Sequence, residues 1–173
     1  MDIRKARVSD IDSIEQIYER AHDDEQRGAS TVGWVRGIYP TRQTAIDSLA
    51  RGDLFVMLDG EMIVAVAIIN QIQVPEYKLA SWKHTAKDDE VMVLHTLVVD
   101  PHAKGRGYGR AFVDFYESYA RECGCYELRM DTNEKNTRAR QLYKYLGYDE
   151  VGIVPCTFNG ISGVQLVCLE KRV

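Results

Sequence analysis

The stretch VVDPHAKGRGYGRAF, residues 98–112, joins an apolar strand to an amphipathic helix through a proline and three glycines at alternate positions. The start of a helix presents unpaired backbone N–H groups and the positive end of the helix dipole. Glycine lets such a backbone approach an anion closely and adopt positive φ values. Because the charges of Lys104, Arg106 and Arg110 are local, the stretch predicts either a cradle for one small anion, such as a phosphate, or a purely structural turn.

The glycine spacing separates this loop from two familiar phosphate-binding motifs. Gly105, Gly107 and Gly109 follow the pattern GxGxG, whereas dinucleotide-binding folds use GxGxxG. The loop also lacks the Gly-Lys-Ser/Thr ending of a P-loop. Since glycine turns occur in proteins of many functions, a ligand site needs the support of a second motif.

That second motif is NTRARQLYKYLGY, residues 136–148. It falls on a predicted helix over residues 134–146. The spacing of Asn136, Ala139 and Tyr143 places an amide, a small side chain and a phenol on one face of that helix. A row of this kind can line a ligand, although a buried tyrosine with a satisfied hydroxyl is a common core feature.

Hydrophobic periodicity predicts the other elements. Two apolar runs around Asp59-Gly60 are typical of a β-hairpin. Val91–Val99 and Tyr126–Met130 have the pattern of buried strands. The complete order is βααβββαβαββ, which indicates an α/β fold of the α+β type, with a central mixed sheet flanked by helices. The length of 173 residues suits one domain spanning residues 1–173.

Composition excludes several classes of function. A net charge of −4 without a basic tail argues against nucleic acid as a partner. The longest apolar run, residues 62–69, is too short to span a membrane. The first residues lack the apolar segment of a signal peptide, so we expect a cytoplasmic protein. The four cysteines form no zinc spacing, which predicts no metal site and free, buried thiols.

Together the two motifs resemble the signatures of the GNAT superfamily of N-acetyltransferases. The first, LVVDPHAKGRGYG over residues 97–109, is similar to the family's acyl-CoA signature, with Lys104 where arginine or glutamine is usual. The second, residues 136–148, is similar to the family's Asn-x-x-Ala-x-x-Leu-Tyr-x-x-x-Gly-Phe motif, with Tyr148 as the aromatic residue. Both occur in the family's order, and they cover residues 91–154.

The resemblance implies acetyl-CoA as the cofactor and assigns residues to it. The strand around Leu97 and Val99 would pair with the pantetheine arm, the loop amides would hold the diphosphate, and Asn136 would bind the amide arm. The implied cofactor-binding residues are Leu97, Val98, Val99, Lys104, Gly105, Arg106, Gly107, Tyr108, Gly109, Arg110, Asn136, Ala139 and Tyr143.

The resemblance also implies catalytic roles. Tyr143 would protonate the leaving thiolate, since the pKa of a thiol is about 8.5 and that of a phenol about 10. His95 would remove the proton of the amine, because a free pKa of about 6.5 suits a base. Two alternatives stay open for His95: a half-buried strand histidine without a catalytic part, and Glu90 acting through water.

The acceptor pocket is the least defined part of the sequence. In the resembled family it is built from the first two helices, their connection and the loop before the fourth strand. Here these segments contribute aromatic side chains that could wall a pocket, plug a sheet edge or form a dimer contact. The candidate acceptor residues are Trp34, Tyr39, Trp82 and His84, and Tyr77 lies among them.

Four functions are compatible with these features. The first is direct transfer of acetyl from acetyl-CoA to the primary amine of a small molecule in a ternary complex. The second is acetylation of a protein lysine or N-terminus. The third is a regulatory module that binds acyl-CoA without catalysis, and the fourth is an interaction domain whose glycines are turns. A homodimer is a common state of the resembled family.

Overall fold

The computed structural model describes residues 2–173 and contains one seven-stranded mixed sheet. The strand order across the sheet is β1-β2-β3-β4-β5-β7-β6. Only the central pair, β4 and β5, runs parallel, and every other neighbouring pair is antiparallel. The predicted order βααβββαβαββ and mixed sheet are confirmed. The elements are β1 Asp2–Lys5, α1 Ile11–Gln26, α2 Arg42–Arg51, β2 Leu54–Asp59, β3 Met62–Asn70, β4 Val91–Val99, α3 Tyr108–Glu122, β5 Glu127–Asn133, α4 Thr137–Tyr145, β6 Asp149–Phe158 and β7 Ile161–Arg172.

Helices cover both faces of the sheet because strand residues alternate between two apolar cores. Phe55 and Met57 of β2 pack with α3 and α4, while Leu54 and Val56 pack with α1 and α2. Around β5, β6 and β7, the second face is covered by the connection between β3 and β4, where Tyr77 is buried. The sheet is thus enclosed on both sides, and no helix within residues 2–173 is long and apolar enough to cross a membrane.

The parallel strands β4 and β5 separate at their carboxyl ends. Their pairing ends at Leu94 and Met130, although β4 continues to Val99. Thr96 has a φ of 50°, and the register between β4 and β3 shifts there, which is the geometry of a β-bulge. The bulge bends β4 away from β5 and leaves a gap between them.

Asn136 differs from its predicted place. Helix α4 begins at Thr137, and Asn136 caps it, with its Oδ1 accepting a hydrogen bond from the Ala139 amide at 3.3 Å. Asparagine competes with helical backbone in this way and favours caps over helix interiors. Asn136 and Tyr143 therefore belong to one short segment, but only Ala139 and Tyr143 lie on the helix itself.

Candidate active site

A cavity of about 610 Å³ fills the gap between β4 and β5. One part of its wall is the glycine loop, the end of β4 and helix α4, on the face that α3 covers. The other part is the connection between α1 and α2, the end of β5 and residues of β6 and β7. The cavity therefore has walls from both faces of the sheet.

The glycine loop has the backbone that its sequence predicts. Gly105 and Gly107 have φ values of 85° and 80°, and Gly107 immediately precedes α3. The first intrahelical hydrogen bond runs from the Ala111 amide to the Gly107 carbonyl at 3.0 Å. The amides of Tyr108, Gly109 and Arg110 thus have no partner inside the helix, and these residues line the cavity. This arrangement fits an anion such as the diphosphate of coenzyme A.

Gly109 serves a different purpose from the two glycines before it. A Cβ atom at Gly109 would lie 3.5 Å from Leu142 and 3.7 Å from Val99. The first turn of α3 can consequently pack against both β4 and α4. At Gly105 and Gly107, by contrast, the space for a Cβ is open, so their positive φ values explain the choice of glycine.

The basic residues of the loop divide into two groups. Lys104 lines the cavity and forms an ion pair with Asp24 of α1. Arg110 also lines it, with its guanidinium 5.5 Å from the centre of the Tyr145 ring. Arg106 is the exception among the expected cofactor residues, because it is exposed and turned toward Asp59, 4.0 Å away.

Tyr143 lines the cavity and is almost fully buried. Its hydroxyl makes no hydrogen bond within residues 2–173, whereas the Asn136 amide donates to Thr132 Oγ1 at 3.0 Å. Burial raises the pKa of Tyr143, and the charge of Asp131 raises it further. Tyr143 is therefore protonated at neutral pH and can donate a hydrogen bond into the cavity.

His95 does not line the cavity. Its Nε2 lies 3.0 Å from the Ile72 carbonyl and 3.1 Å from Asn70 Oδ1, so the ring faces β3 and the segment after it. Burial lowers the pKa of His95 to about 4. A base is most efficient when its pKa lies near the working pH. The geometry thus corresponds to the half-buried strand histidine that the sequence left open, and Glu90 lies at the far, amino end of β4, bonded to the Lys87 amide.

The four expected acceptor residues separate into two pairs. Trp34 and Tyr39 line the cavity, and Tyr39 meets Phe158 edge to face at 5.1 Å, which completes an aromatic wall. Burial raises the pKa of Tyr39 to about 12, and its hydroxyl bonds to Thr96.

Trp82 and His84 lie outside the cavity. The Trp82 indole donates to the Tyr77 carbonyl at 2.8 Å, and the Arg129 guanidinium covers its ring. His84 Nδ1 lies 3.5 Å from Glu127 Oε1. Both side chains hold the connection between β3 and β4 against strand β5. Contacts of this kind, between segments distant in the chain, are not visible in the local sequence.

Asp131 and Phe158 are among the cavity residues that the sequence analysis did not single out. Asp131 follows Met130, where pairing with β4 stops, and accepts a hydrogen bond from the Tyr77 hydroxyl at 2.8 Å. Phe158 ends β6. A polar residue at the carboxyl end of a parallel strand is a recognised signal for a ligand site, and it could have drawn attention to Asp131.

Comparison with known proteins gives the same assignment as the motifs. Residues 12–148 match the model of the acetyltransferase (GNAT) family. The chain belongs to the GNAT family. It is 27% identical over 150 residues to the uncharacterized N-acetyltransferase YhfO of Bacillus subtilis (strain 168), covering 87% of this chain and 91% of that protein. This GNAT protein is accordingly an acyl-CoA-dependent N-acetyltransferase, and acetyl-CoA use is typical of its family.

Solved structures share the fold of this GNAT protein. A GNAT-family acetyltransferase from Streptococcus agalactiae 2603 superposes with a TM-score of 0.85 at 24% identity, over 99% of this chain and 95% of that one. The acetyltransferase yncA from Salmonella typhimurium, solved with its cofactor acetyl-CoA, has a TM-score of 0.70 at 16% identity, over 99% and 93% of the two chains. At these identities the likeness concerns the fold.

Proposed function

We propose that this GNAT protein transfers the acetyl group of acetyl-CoA to the primary amine of a small molecule, directly and within a ternary complex. One observation carries the proposal: a single cavity extends between β4 and β5 and has walls from both faces of the sheet. A donor held by the glycine loop and an acceptor held by the aromatic wall can meet there without a covalent enzyme intermediate.

The choice of a small acceptor rests on the connection between α1 and α2. Thr31 Oγ1 donates to the Lys135 carbonyl at 2.8 Å, and the amide of Gly33 is held by Glu25 Oε1 at 2.7 Å. This connection therefore reaches across to the segment after β5 and covers the cavity beside the aromatic wall. An extended peptide would need an open groove at that place, so a compact amine is the better fit.

The donor side has the groups that coenzyme A needs. Beyond Leu94 the edge of β4 is free of β5, so the backbone of Leu97, Val98 and Val99 can pair with the amides of pantetheine. The free amides at the start of α3 suit the diphosphate. Acetyl-CoA supplies the thioester, whose carbonyl becomes more polarised when backbone amides hydrogen-bond to it.

Tyr143 is the proposed general acid. Its hydroxyl is protonated, has no partner within residues 2–173 and lines the cavity where β4 and β5 diverge. Transfer of its proton to the coenzyme A sulfur would neutralise the thiolate as the C–S bond breaks. Groups in such a position typically contribute 10²- to 10⁴-fold, by order of magnitude, to the rate.

We further propose that residues 1–173 act as one acetyltransferase domain in the cytoplasm. The sheet from Asp2 to Arg172 is continuous, and the four cysteines are free, as expected in a reducing compartment. Cys123 is exposed, unlike the buried thiol that composition suggested. Sedimentation of the purified protein would test the homodimer that the family resemblance implies.

Titration calorimetry with acetyl-CoA tests the donor site. We expect micromolar binding by the native protein and its loss in Gly107→Glu, which places a carboxylate against the diphosphate. Gly124→Glu is the matched control, since Gly124 has a similar φ of 76° and equally open space but lies beyond the other end of α3. If the native protein does not bind acetyl-CoA, the proposed function is wrong.

An amine panel with detection of free coenzyme A thiol then separates the acceptor classes. Turnover with small primary amines supports the proposal. Turnover with lysine-containing peptides, in the absence of turnover with any small amine, would replace it by the protein acetyltransferase.

A further inference from the structure

Asp131 is the one acidic side chain of β5 that lines the cavity. It is the first residue of β5 beyond the pairing with β4. Leu128 and Met130 pack on the face that α3 covers, so strand alternation directs Asp131 to the opposite face. There it shares the cavity wall with Tyr39 and Phe158.

The Asp131 side chain is half-buried in the cavity wall and has no cationic partner, unlike most of the buried acids in this protein. No lysine, arginine or histidine nitrogen within residues 2–173 comes within 4.0 Å of its carboxylate, which accepts a hydrogen bond from the neutral hydroxyl of Tyr77. A carboxylate that is partly removed from water without a cation loses hydration that nothing replaces. Six buried acids each form an ion pair with a lysine or arginine: Asp10 with Arg4, Asp24 with Lys104, Asp53 with Arg51, Asp100 with Arg20, Glu117 with Lys171 and Glu127 with Arg172.

The surroundings of Asp131 are neutral or acidic. Burial raises its pKa to about 6, the Tyr77 hydroxyl opposes this rise, and the charge of Glu76 adds to it. The cationic residues of the cavity wall, Lys104, Arg110 and Arg138, belong to the glycine loop and α4. The other titratable groups near enough to sense the Asp131 charge are Tyr39, Tyr143, Cys156 and Cys168.

We propose that Asp131 binds the acceptor amine and acts as its base: the carboxylate binds the protonated primary amine and then takes one proton from it. This inference rests on the proposed function and narrows the acceptor to a small cationic amine without a carboxylate near the reacting nitrogen. A cation is favoured by Asp131, and the aromatic side chains of Trp34 and Tyr39 line the same cavity. Asp131 would repel a carboxylate on the acceptor. On that side of the cavity, no lysine or arginine among residues 2–173 lines the wall to bind such a carboxylate.

Asp131 and Tyr143 together account for every proton and electron pair that moves in the reaction. The ammonium gives one proton to Asp131, and the freed nitrogen lone pair attacks the thioester carbonyl, forming a C–N bond. The C–S bond then breaks, its electron pair leaves on sulfur, and Tyr143 protonates that sulfur. The nitrogen loses its second proton to the Tyr143 oxygen, and Asp131 releases its proton to solvent. One amide, one coenzyme A thiol and one proton are the products.

The test uses Asp131→Asn, which preserves the shape and the acceptor for the Tyr77 hydroxyl. With butylamine, putrescine and phenethylamine as probes, we expect kcat/KM to fall by roughly 10²- to 10⁴-fold, the range of a general base. Acetyl-CoA affinity should stay within about twofold of the native value. Asp114→Asn, an exposed change on α3, should leave both quantities unchanged.

A pH profile separates a chemical role from a structural one. The native profile should have an acid limb near the Asp131 pKa, and Asp131→Asn should abolish it. Tyr77→Phe should move the limb to higher pH, because the Tyr77 hydroxyl lowers the Asp131 pKa. Thermal unfolding of Asp131→Asn should occur at the native temperature or above it, since the variant removes an unpaired charge.

The outcomes distinguish the two levels of the proposal. A native enzyme that acetylates amines, beside an Asp131→Asn variant with the same rate and acid limb, would refute the role of Asp131 and leave the proposed function standing. Preference for γ-aminobutyrate over butylamine would overturn the charge selectivity. Failure of the native protein to bind acetyl-CoA would overturn the proposed function and this inference with it.

Discussion

Gly33 lies directly against Asn133: a Cβ atom at Gly33 would come within 2.6 Å of the Asn133 Nδ2 atom. Gly33 belongs to the connection between α1 and α2, and Asn133 ends β5. The close approach lets that connection cover the cavity on its acceptor side. Gly33 also has a φ of 82°, which favours glycine, and a Cβ there would displace the Asn133 side-chain amide.

Gly33→Ala should therefore open the acceptor side. We expect an increase in KM for the amine with little change in acetyl-CoA affinity. Strain at Gly33 together with displacement of the Asn133 amide at a cost of about 1–2 kcal/mol corresponds to a factor of roughly 5 to 30. Gly37→Ala is the control, because Gly37 has a φ of 77° in the same connection but open space for a Cβ. Equal kinetics of the two variants would show that the contact with Asn133 does not shape the pocket.

Tyr143→Phe should slow turnover by roughly 10²- to 10⁴-fold, since the general acid is lost. Binding of acetyl-CoA should be almost unchanged, because the proposed diphosphate contacts come from the glycine loop. Steady-state kinetics and calorimetry on the same preparation measure the two effects. Tyr145→Phe, an exposed change two residues along the same helix, is the control, and native turnover by Tyr143→Phe would remove the acid role.

His95 should govern stability at acidic pH. Burial holds its folded-state pKa at about 4, below the free value of about 6.5. The unfolded chain therefore binds a proton first as the pH falls, so the stability contributed by neutral His95 is fully present above pH 6.5 and is lost as the pH falls toward 4. His95→Gln should reduce the drop in unfolding free energy between pH 7 and pH 5, measured by urea denaturation.

The same variant decides whether His95 acts in catalysis. Because its ring faces Ile72 and lies outside the cavity wall, His95→Gln should keep the acid limb of the pH–rate profile. Disappearance of that limb would restore His95 as the base. His102→Gln, outside the strands of the sheet, controls for the loss of a histidine.

Local signals in the sequence predicted most of the elements that form the proposed donor side of the cavity. Proline, glycine and apolar periodicity act over a few residues, so the glycine loop, the presence of a helix beside it and the position of Tyr143 on α4 followed from the chain alone. The hairpin at Asp59-Gly60 was predictable for the same reason, and it is present with a φ of 62° at Gly60.

The acceptor half was decided by tertiary structure. Asp131 meets the Tyr77 hydroxyl across 54 positions of sequence, and Gly33 meets Asn133 across a still longer separation. The bulge at Thr96 shifts the register of β4 after His95, and the His95 ring turns toward β3. Sequence by itself predicted the fold and the glycine loop proposed to bind coenzyme A, because those depend on local backbone preference. Which side chains line the proposed amine pocket depended on strand register, on the divergence of β4 from β5 and on contacts between distant segments, and only the folded chain sets these.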